Sequence, residues 1–124
     1  MKTAKEIIEE TIQYYSEDTS RRALEEGGCQ YTTEDGNHCA VGRCLEEEYQ
    51  TTDFEYNQTK GVIQLVDYYQ TMDNILREEY RGHPTDLWER LQRLHDGDFN
   101  WDEDGLTGIG IAAANRILED YKND

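Results

Sequence analysis

The sequence predicts an α+β fold in which four to six helices pack around a small antiparallel β-hairpin or three-stranded sheet, as a single acidic domain over residues 1–124. Three observations predict it. Apolar residues recur at helical spacing in several segments, an Asp35-Gly36 pair separates two β-prone runs, and 124 residues is the length of one domain.

The elements follow in chain order. Thr3 and Glu6 have the spacing of a capping box, and Ile7, Ile8, Thr11, Ile12 and Tyr15 then mark the buried face of a first helix. Ser16 to Thr19 reads as a polar break, Arg21 to Glu26 as a short second helix, and Gly27-Gly28 as its stop. Residues 29–33 and 38–41 then form the hairpin around Asp35-Gly36. A three-residue loop, Asp35 to Asn37, would pair Tyr31 with Val41 and Thr33 with Cys39, gathering Cys29, Tyr31, Cys39 and Val41 on one apolar face. That register is preferred over the two-residue loop.

Leu45 to Gln50 has a helical look, Thr51 to Thr59 is a polar connection, and Gly61 to Val66 fits a strand or a helix start equally well. Met72, Ile75, Leu76 and Tyr80 predict a helix over Thr71 to Tyr80, ended by Gly82-His83-Pro84. The clearest helix is Thr85 to His95, whose stripe is Leu87, Trp88, Leu91 and Leu94. Asp96 to Asp104 reads as an acidic loop with Phe99 and Trp101 plugged into the core. Leu106, Ile109, Ala113, Ile117 and Tyr121 define a last helix, with Gly108 and Gly110 allowing close packing. No internal repeat is evident.

Composition bounds the function. With 12 Lys and Arg against 28 Asp and Glu, the net charge of −16 excludes a nucleic-acid backbone as direct partner, because phosphate binding needs clustered cations. Leu, Ile, Val and Phe number only 22, so nine Tyr and two Trp must supply much of the buried area. There is no apolar run long enough for a membrane span and no signal-peptide stretch, and three cysteines leave one unpaired in any disulfide scheme. The expectation is free thiols and a cytoplasmic protein.

Cys29, His38, Cys39 and Cys44 place four zinc-capable residues close together, without the paired C-x2-C knuckles of a zinc site. Adjacent residues on a strand point to opposite faces, so His38 and Cys39 do not converge, and small buried core cysteines are the favoured reading. The same sidedness weakens a Cys-His nucleophile. Cys44 near a helix start would have its thiol pKa lowered by the dipole, but Glu46, Glu47 and Glu48 act the other way. Asn100 to Gly105 resembles half a calcium loop, yet Ile111 stands where the bidentate carboxylate belongs. His95 at a helix C-terminus fits a structural cation better than a general base. No phosphate loop or Ser-His-Asp arrangement is indicated. No metal, cofactor or enzymatic activity is expected.

Acidic clusters recur along the whole chain, at Glu9-Glu10, Glu17-Asp18, Glu25-Glu26, Glu46 to Glu48, Asp53 to Glu55, Glu78-Glu79 and Asp96 to Asp104. Such charge ordinarily solvates a surface. An excess this large also suits a surface that occupies the basic groove of a nucleic-acid-binding protein, competing for the same Lys and Arg side chains. The residues chosen for it are Glu46, Glu47, Glu48, Asp53, Glu55, Asp102 and Asp104.

The pattern C-x-Y…D-G-x-x-C-A-V-G over Cys29 to Gly42, followed by L-Q-x-L-H-D over Leu91 to Asp96 and by Trp101, resembles that of small uncharacterised accessory proteins of bacteria, phages and mobile elements. The likeness covers about a third of the chain. It implies an accessory protein of phage type, a class in which small acidic inhibitors of host defence are common. The expected function is therefore a non-enzymatic acidic binder or inhibitor of a basic host protein or nucleic-acid-binding complex, acting as a nucleic-acid mimic. The alternative is a small-ligand-binding or sequestering protein with an aromatic pocket, drawn from Tyr68, Tyr69, Trp88 and Trp101.

Overall fold

The structure, a computed structural model, describes residues 1–21, 31–34, 36–54 and 62–123, and the backbone path of 24–25 and 28–29. The fold is α+β. Among the described residues, four α-helices, α1 (Ala4–Glu17), α2 (Val62–Tyr69), α3 (Thr85–Asp96) and α4 (Gly108–Asp120), occur with short 3-10 turns and two antiparallel strand pairs, β1 (Leu24–Glu25) with β2 (Gly28–Cys29) and β3 (Trp101–Asp102) with β4 (Gly105–Leu106). Helix α3 is central and packs against α1, α2 and α4. No described helix is long and apolar enough to cross a membrane.

Helix α1 starts where the capping box places it. The Glu6 N–H donates to Thr3 Oγ1 at 3.1 Å and the Thr3 N–H donates to Glu6 Oε1 at 3.0 Å, satisfying two backbone donors that a helix start leaves orphaned. Ile7, Ile8, Thr11 and Tyr15 are buried as their spacing requires. Helix α3 buries Leu87, Trp88, Leu91 and Leu94, together with Gln92 and His95. In α4 the buried stripe is Gly110, Ala114 and Ile117, so Ile109, turned away by one residue, is 63% exposed instead of in the core. Gly110 lies where a Cβ would stand 2.2 Å from the Asn100 carbonyl oxygen, which accounts for that glycine, whereas a Cβ at Gly108 would meet nothing.

Several expected elements are replaced. The helix over Arg21 to Glu26 gives way to a 3-10 turn, Thr19–Arg21, followed by β1, which pairs Leu24 with Cys29. The hairpin at Asp35-Gly36 shrinks to one bridge, Thr32 with His38, in neither register considered; the Thr33 N–H donates to the Asn37 carbonyl at 2.8 Å. Asp35 lies outside the described residues, and Gly36 has φ +85°, the left-handed region such a turn needs. After Cys39 the chain coils into the 3-10 turn Gly42–Cys44, so Tyr31, Cys39 and Val41 are all buried, but by a coil instead of a pleated face.

The segment Gly61 to Val66 resolves as helix from Val62 onward. Leu45 to Gln50 and Thr71 to Tyr80 are not α-helices. The first is a short extended stretch leading into the 3-10 turn Glu47–Tyr49; the second is two 3-10 turns, Met72–Asn74 and Glu78–Tyr80, separated by a short extended stretch, and Leu45 and Leu76 form an isolated antiparallel bridge. Met72, Ile75, Leu76 and Tyr80 are nevertheless all buried, because extended backbone and tight turns bring them inward as a helical stripe would. Trp101 is buried as expected; Phe99 is 80% exposed. The acidic loop ends in the β3–β4 pair, with Gly105 at φ +119°.

Candidate acidic interaction surface

Leu45-Glu46-Glu47-Glu48-Tyr49 and Leu76-Arg77-Glu78-Glu79-Tyr80 share the pattern L-x-E-E-Y, a repeat that the sequence reading passed over. The two copies have the same backbone. Glu46 sits at φ −58°, ψ 149° and Arg77 at φ −59°, ψ 149°, each followed by a 3-10 turn, Glu47–Tyr49 and Glu78–Tyr80. The Tyr49 N–H donates to the Glu46 carbonyl at 2.9 Å, as the Tyr80 N–H does to that of Arg77. Around the Leu45–Leu76 bridge the Glu46 N–H donates to the Ile75 carbonyl at 2.9 Å and the Arg77 N–H to the Cys44 carbonyl at 3.0 Å. This is a local pseudo-two-fold arrangement. Side chains repeat it: Arg81 Nη2 donates to Glu46 Oε1 at 2.6 Å, and Arg77 Nη2 donates to Gln50 Oε1 at 2.9 Å.

The predicted acidic residues divide by role. Glu46 is half-buried and committed to Arg81, so it braces the turn. Glu47, Glu48 and Asp53 are exposed, as are Asp102 and Asp104 on the β3–β4 turn, where Asp102 Oδ1 accepts from the Asp104 N–H at 2.8 Å. Glu55 lies outside the described residues. Glu78 and Glu79, exposed on the second copy, were not among the residues chosen, and the repeated L-x-E-E-Y is the signal that would have added them.

One further carboxylate is structural. Glu10 on α1 meets Lys2 Nζ at 2.6 Å and Arg43 Nη1 at 2.5 Å, and accepts from the Tyr80 hydroxyl. Burial would raise its pKa, but hydrogen bonds from Lys2, Tyr80 and Arg43 outweigh that and hold it at about 2. Arg43 Nη2 also donates to Thr11 Oγ1 at 3.1 Å, so α1 is tied to Tyr80 of the second copy and to Arg43, two residues ahead of the first.

The two stretches that carried the resemblance meet in space as scaffold. Gln92 Oε1 on α3 accepts from the Val41 N–H at 3.3 Å, and Gln92 Nε2 donates to Asp96 Oδ1 at 3.2 Å. Tyr15 donates its hydroxyl proton to the His38 carbonyl at 2.5 Å and stacks edge-on against His95, 4.9 Å between ring centroids. His95 lies in the last turn of α3 as expected, but buried, its Nδ1 2.8 Å from Asp96 Oδ1. Gly42 abuts the Tyr31 backbone so closely that a Cβ would lie 1.9 Å from the Tyr31 carbonyl oxygen.

Neither Cys39 nor Cys44 is disulfide-bonded, and both are buried. Cys39 Sγ accepts from the Gly42 N–H at 3.3 Å, and Cys44 Sγ donates to the Ala40 carbonyl at 3.6 Å. Burial pushes the Cys44 thiol up to about 12, the reverse of the lowering a helix start would give, so it is no nucleophile near neutral pH. His38 is half-buried, 3.0 Å from Thr32 Oγ1, and burial lowers its pKa. Cys29 lies in β2. Among the described residues no group of three or more His, Cys, Asp or Glu is placed to hold a metal ion.

Trp88 and Trp101 are buried, Tyr69 packs in a cluster with Tyr49 and Phe54, and Tyr68 is exposed. The two clefts described on the surface have no aromatic lining. One, of about 350 Å³, lies between α2 and α3 and includes Val62, Gln92 and Asp96; the other lies between α3 and α4. Comparison of this chain with protein-family models, with curated proteins and with solved structures found no match.

Proposed function

We propose that the protein is a non-enzymatic binder whose carboxylates engage a basic surface of a nucleic-acid-binding protein, in the manner of an acidic accessory protein of phage type. The observation that carries this reading is the repeated turn. Glu47, Glu48, Glu78 and Glu79 are exposed on two similar 3-10 turns, braced by the Leu45–Leu76 bridge and by the Glu46–Arg81 and Gln50–Arg77 contacts. Carboxylates held on a fixed backbone lose less freedom on binding than carboxylates on a mobile tail, so the same charge gives more affinity. The surrounding charge of −16 adds long-range attraction for a basic partner, which raises the association rate and makes it salt-dependent.

The test is a pull-down from bacterial lysate at low and high salt, repeated with Glu47, Glu48, Glu78 and Glu79 all changed to Gln. Support would be a basic protein retained at low salt, released at high salt and lost with the substituted chain, whose fold is unchanged. Retention of the same partner by both chains, with the same salt dependence, would refute it.

A further inference from the structure

We infer that the cleft between α3 and α4 binds a small amphipathic organic anion, a carboxylate or phosphate monoester carried on an apolar body. Arg90 and Arg93 from α3 and Arg116 from α4 line a concavity of about 220 Å³ with Leu94 and Ile117. Only 12 Lys and Arg stand against 28 acidic residues in the chain, yet three of them share this one cleft.

Pairing sets one of them, Arg116, apart. Arg21, Arg43 and Arg81 each meet a carboxylate, and Arg77 meets Gln50. At the cleft, Asp120 Oδ2 holds Arg90 at 2.7 Å, while Glu89 touches Arg93 only at 3.4 Å. Arg116 alone among the described arginines makes no hydrogen bond or ion pair. A guanidinium has five N–H donors, so even the anchored Arg90 keeps donors to spare. The cleft thus gathers three permanent positive charges, two of them paired with carboxylates outside its lining, in a molecule whose net charge is strongly negative.

The shape and the field select the ligand. Arginine forks match the paired oxygens of a carboxylate or phosphate, which fixes the polar end. Leu94, Ala113 and Ile117 give the cleft an apolar side, and Ile109, one turn before Ala113 on α4, is exposed. Inorganic phosphate would leave that apolar side uncovered. A polyanion such as nucleic acid would meet the repulsion of the rest of the surface, whereas a small anion seated within one Debye length, about 8 Å at physiological salt, would feel mainly the arginines. The volume is below the roughly 300 Å³ at which ligand pockets commonly begin, so the cleft encloses a head group and leaves the remainder of a larger ligand outside.

The test is NMR titration of the full chain, following arginine Nε–H and backbone amide signals, with phenyl phosphate, inorganic phosphate and benzyl alcohol as probes. Phenyl phosphate should give saturable shifts at Arg90, Arg93, Arg116 and Ala113, with inorganic phosphate about tenfold weaker and benzyl alcohol weaker still. Arg116→Gln, at an exposed position, should leave the rest of the spectrum in place and weaken phenyl phosphate by roughly fivefold or more. Equal affinity for the two phosphates would mean an adventitious ion only and overturn the inference. So would indifference to Arg116→Gln, or the absence of saturation. Sedimentation without any probe covers the remaining occupant: a dimer abolished by Arg116→Gln would place a carboxylate of a second copy in the cleft and also overturn it.

Discussion

Gln50 and Arg81 follow their turns at equivalent places, although the chain leaves them differently (ψ 55° and 166°), and each side chain reaches across to the other copy: Gln50 to Arg77, Arg81 to Glu46. The exchange explains why two five-residue stretches that form no helix and no extended strand still have fixed geometry. Each copy is completed by the other.

That relationship is measurable. Glu46→Gln and Arg81→Gln, singly and together, form a double-mutant cycle on a half-exposed pair, for which the expected coupling is about 0.5 kcal/mol, falling with added salt. Chemical denaturation gives the value. A coupling of zero at low salt would mean that the bridge between Leu45 and Leu76 holds the turns unaided.

Gly42 and Gly36 should respond very differently to alanine. At Gly42 the new methyl would collide with the Tyr31 backbone, which can yield only by shifting the segment packed beneath it, so Gly42→Ala should cost about 3 kcal/mol or prevent folding. At Gly36 nothing lies within 4 Å, and only the positive φ resists, so Gly36→Ala should cost about 1 kcal/mol and Gly36→Val somewhat more. Melting temperatures of the variants rank the two sites.

Acid should loosen the Glu10 node. The carboxyl titrates at about 2 in the folded chain against an ordinary 4.5, so its contribution is complete above pH 4.5 and is lost as pH falls from there toward 2. After allowance for solvent screening of this partly exposed group, that contribution is ~1–2 kcal/mol. Glu10→Gln should lower stability at pH 7 and flatten its pH dependence below 4.5. A variant whose stability falls with acid as steeply as the parent's would assign the acid sensitivity to other carboxylates.

Gln92 should prove more important than its polarity suggests. Replacement by Leu would leave the Val41 N–H buried without its acceptor, at a cost of about 1–3 kcal/mol, and Gln92→Glu keeps an acceptor in place. Hydrogen exchange at the Val41 amide should accelerate in Gln92→Leu far more than at amides of α1, and Gln92→Glu should fall between the two.

What the sequence disclosed follows a physical division. Helices α1 and α3 were legible because their apolar residues repeat over several turns and, in α1, because Thr3 and Glu6 cap each other. The stretches His38 to Gln50 and Thr71 to Tyr80 were not, because their shape depends on partners far along the chain. Leu76 is extended because Leu45 pairs with it, and Val41 turns where Gln92 receives its N–H, neither of which leaves a local periodic trace. For the candidate acidic surface, charge density pointed to Glu47 and Glu48, the L-x-E-E-Y pattern carried the signal for Glu78 and Glu79, and the contact with Arg81 showed Glu46 to be a brace.

The two copies differ in what their tyrosines touch. Tyr80 is buried against Trp88 and donates to Glu10, joining the polar node that fastens α1, whereas Tyr49 rests half-buried against Phe54 and Tyr69 at the margin of the fold. One turn geometry thus carries two different loads. The copy at Leu76–Tyr80 is bound into the architecture through its tyrosine, while the copy at Leu45–Tyr49 has the same turn with fewer contacts at its own. Its exposed positions are therefore the ones at which this scaffold can acquire a new partner without renegotiating its own stability.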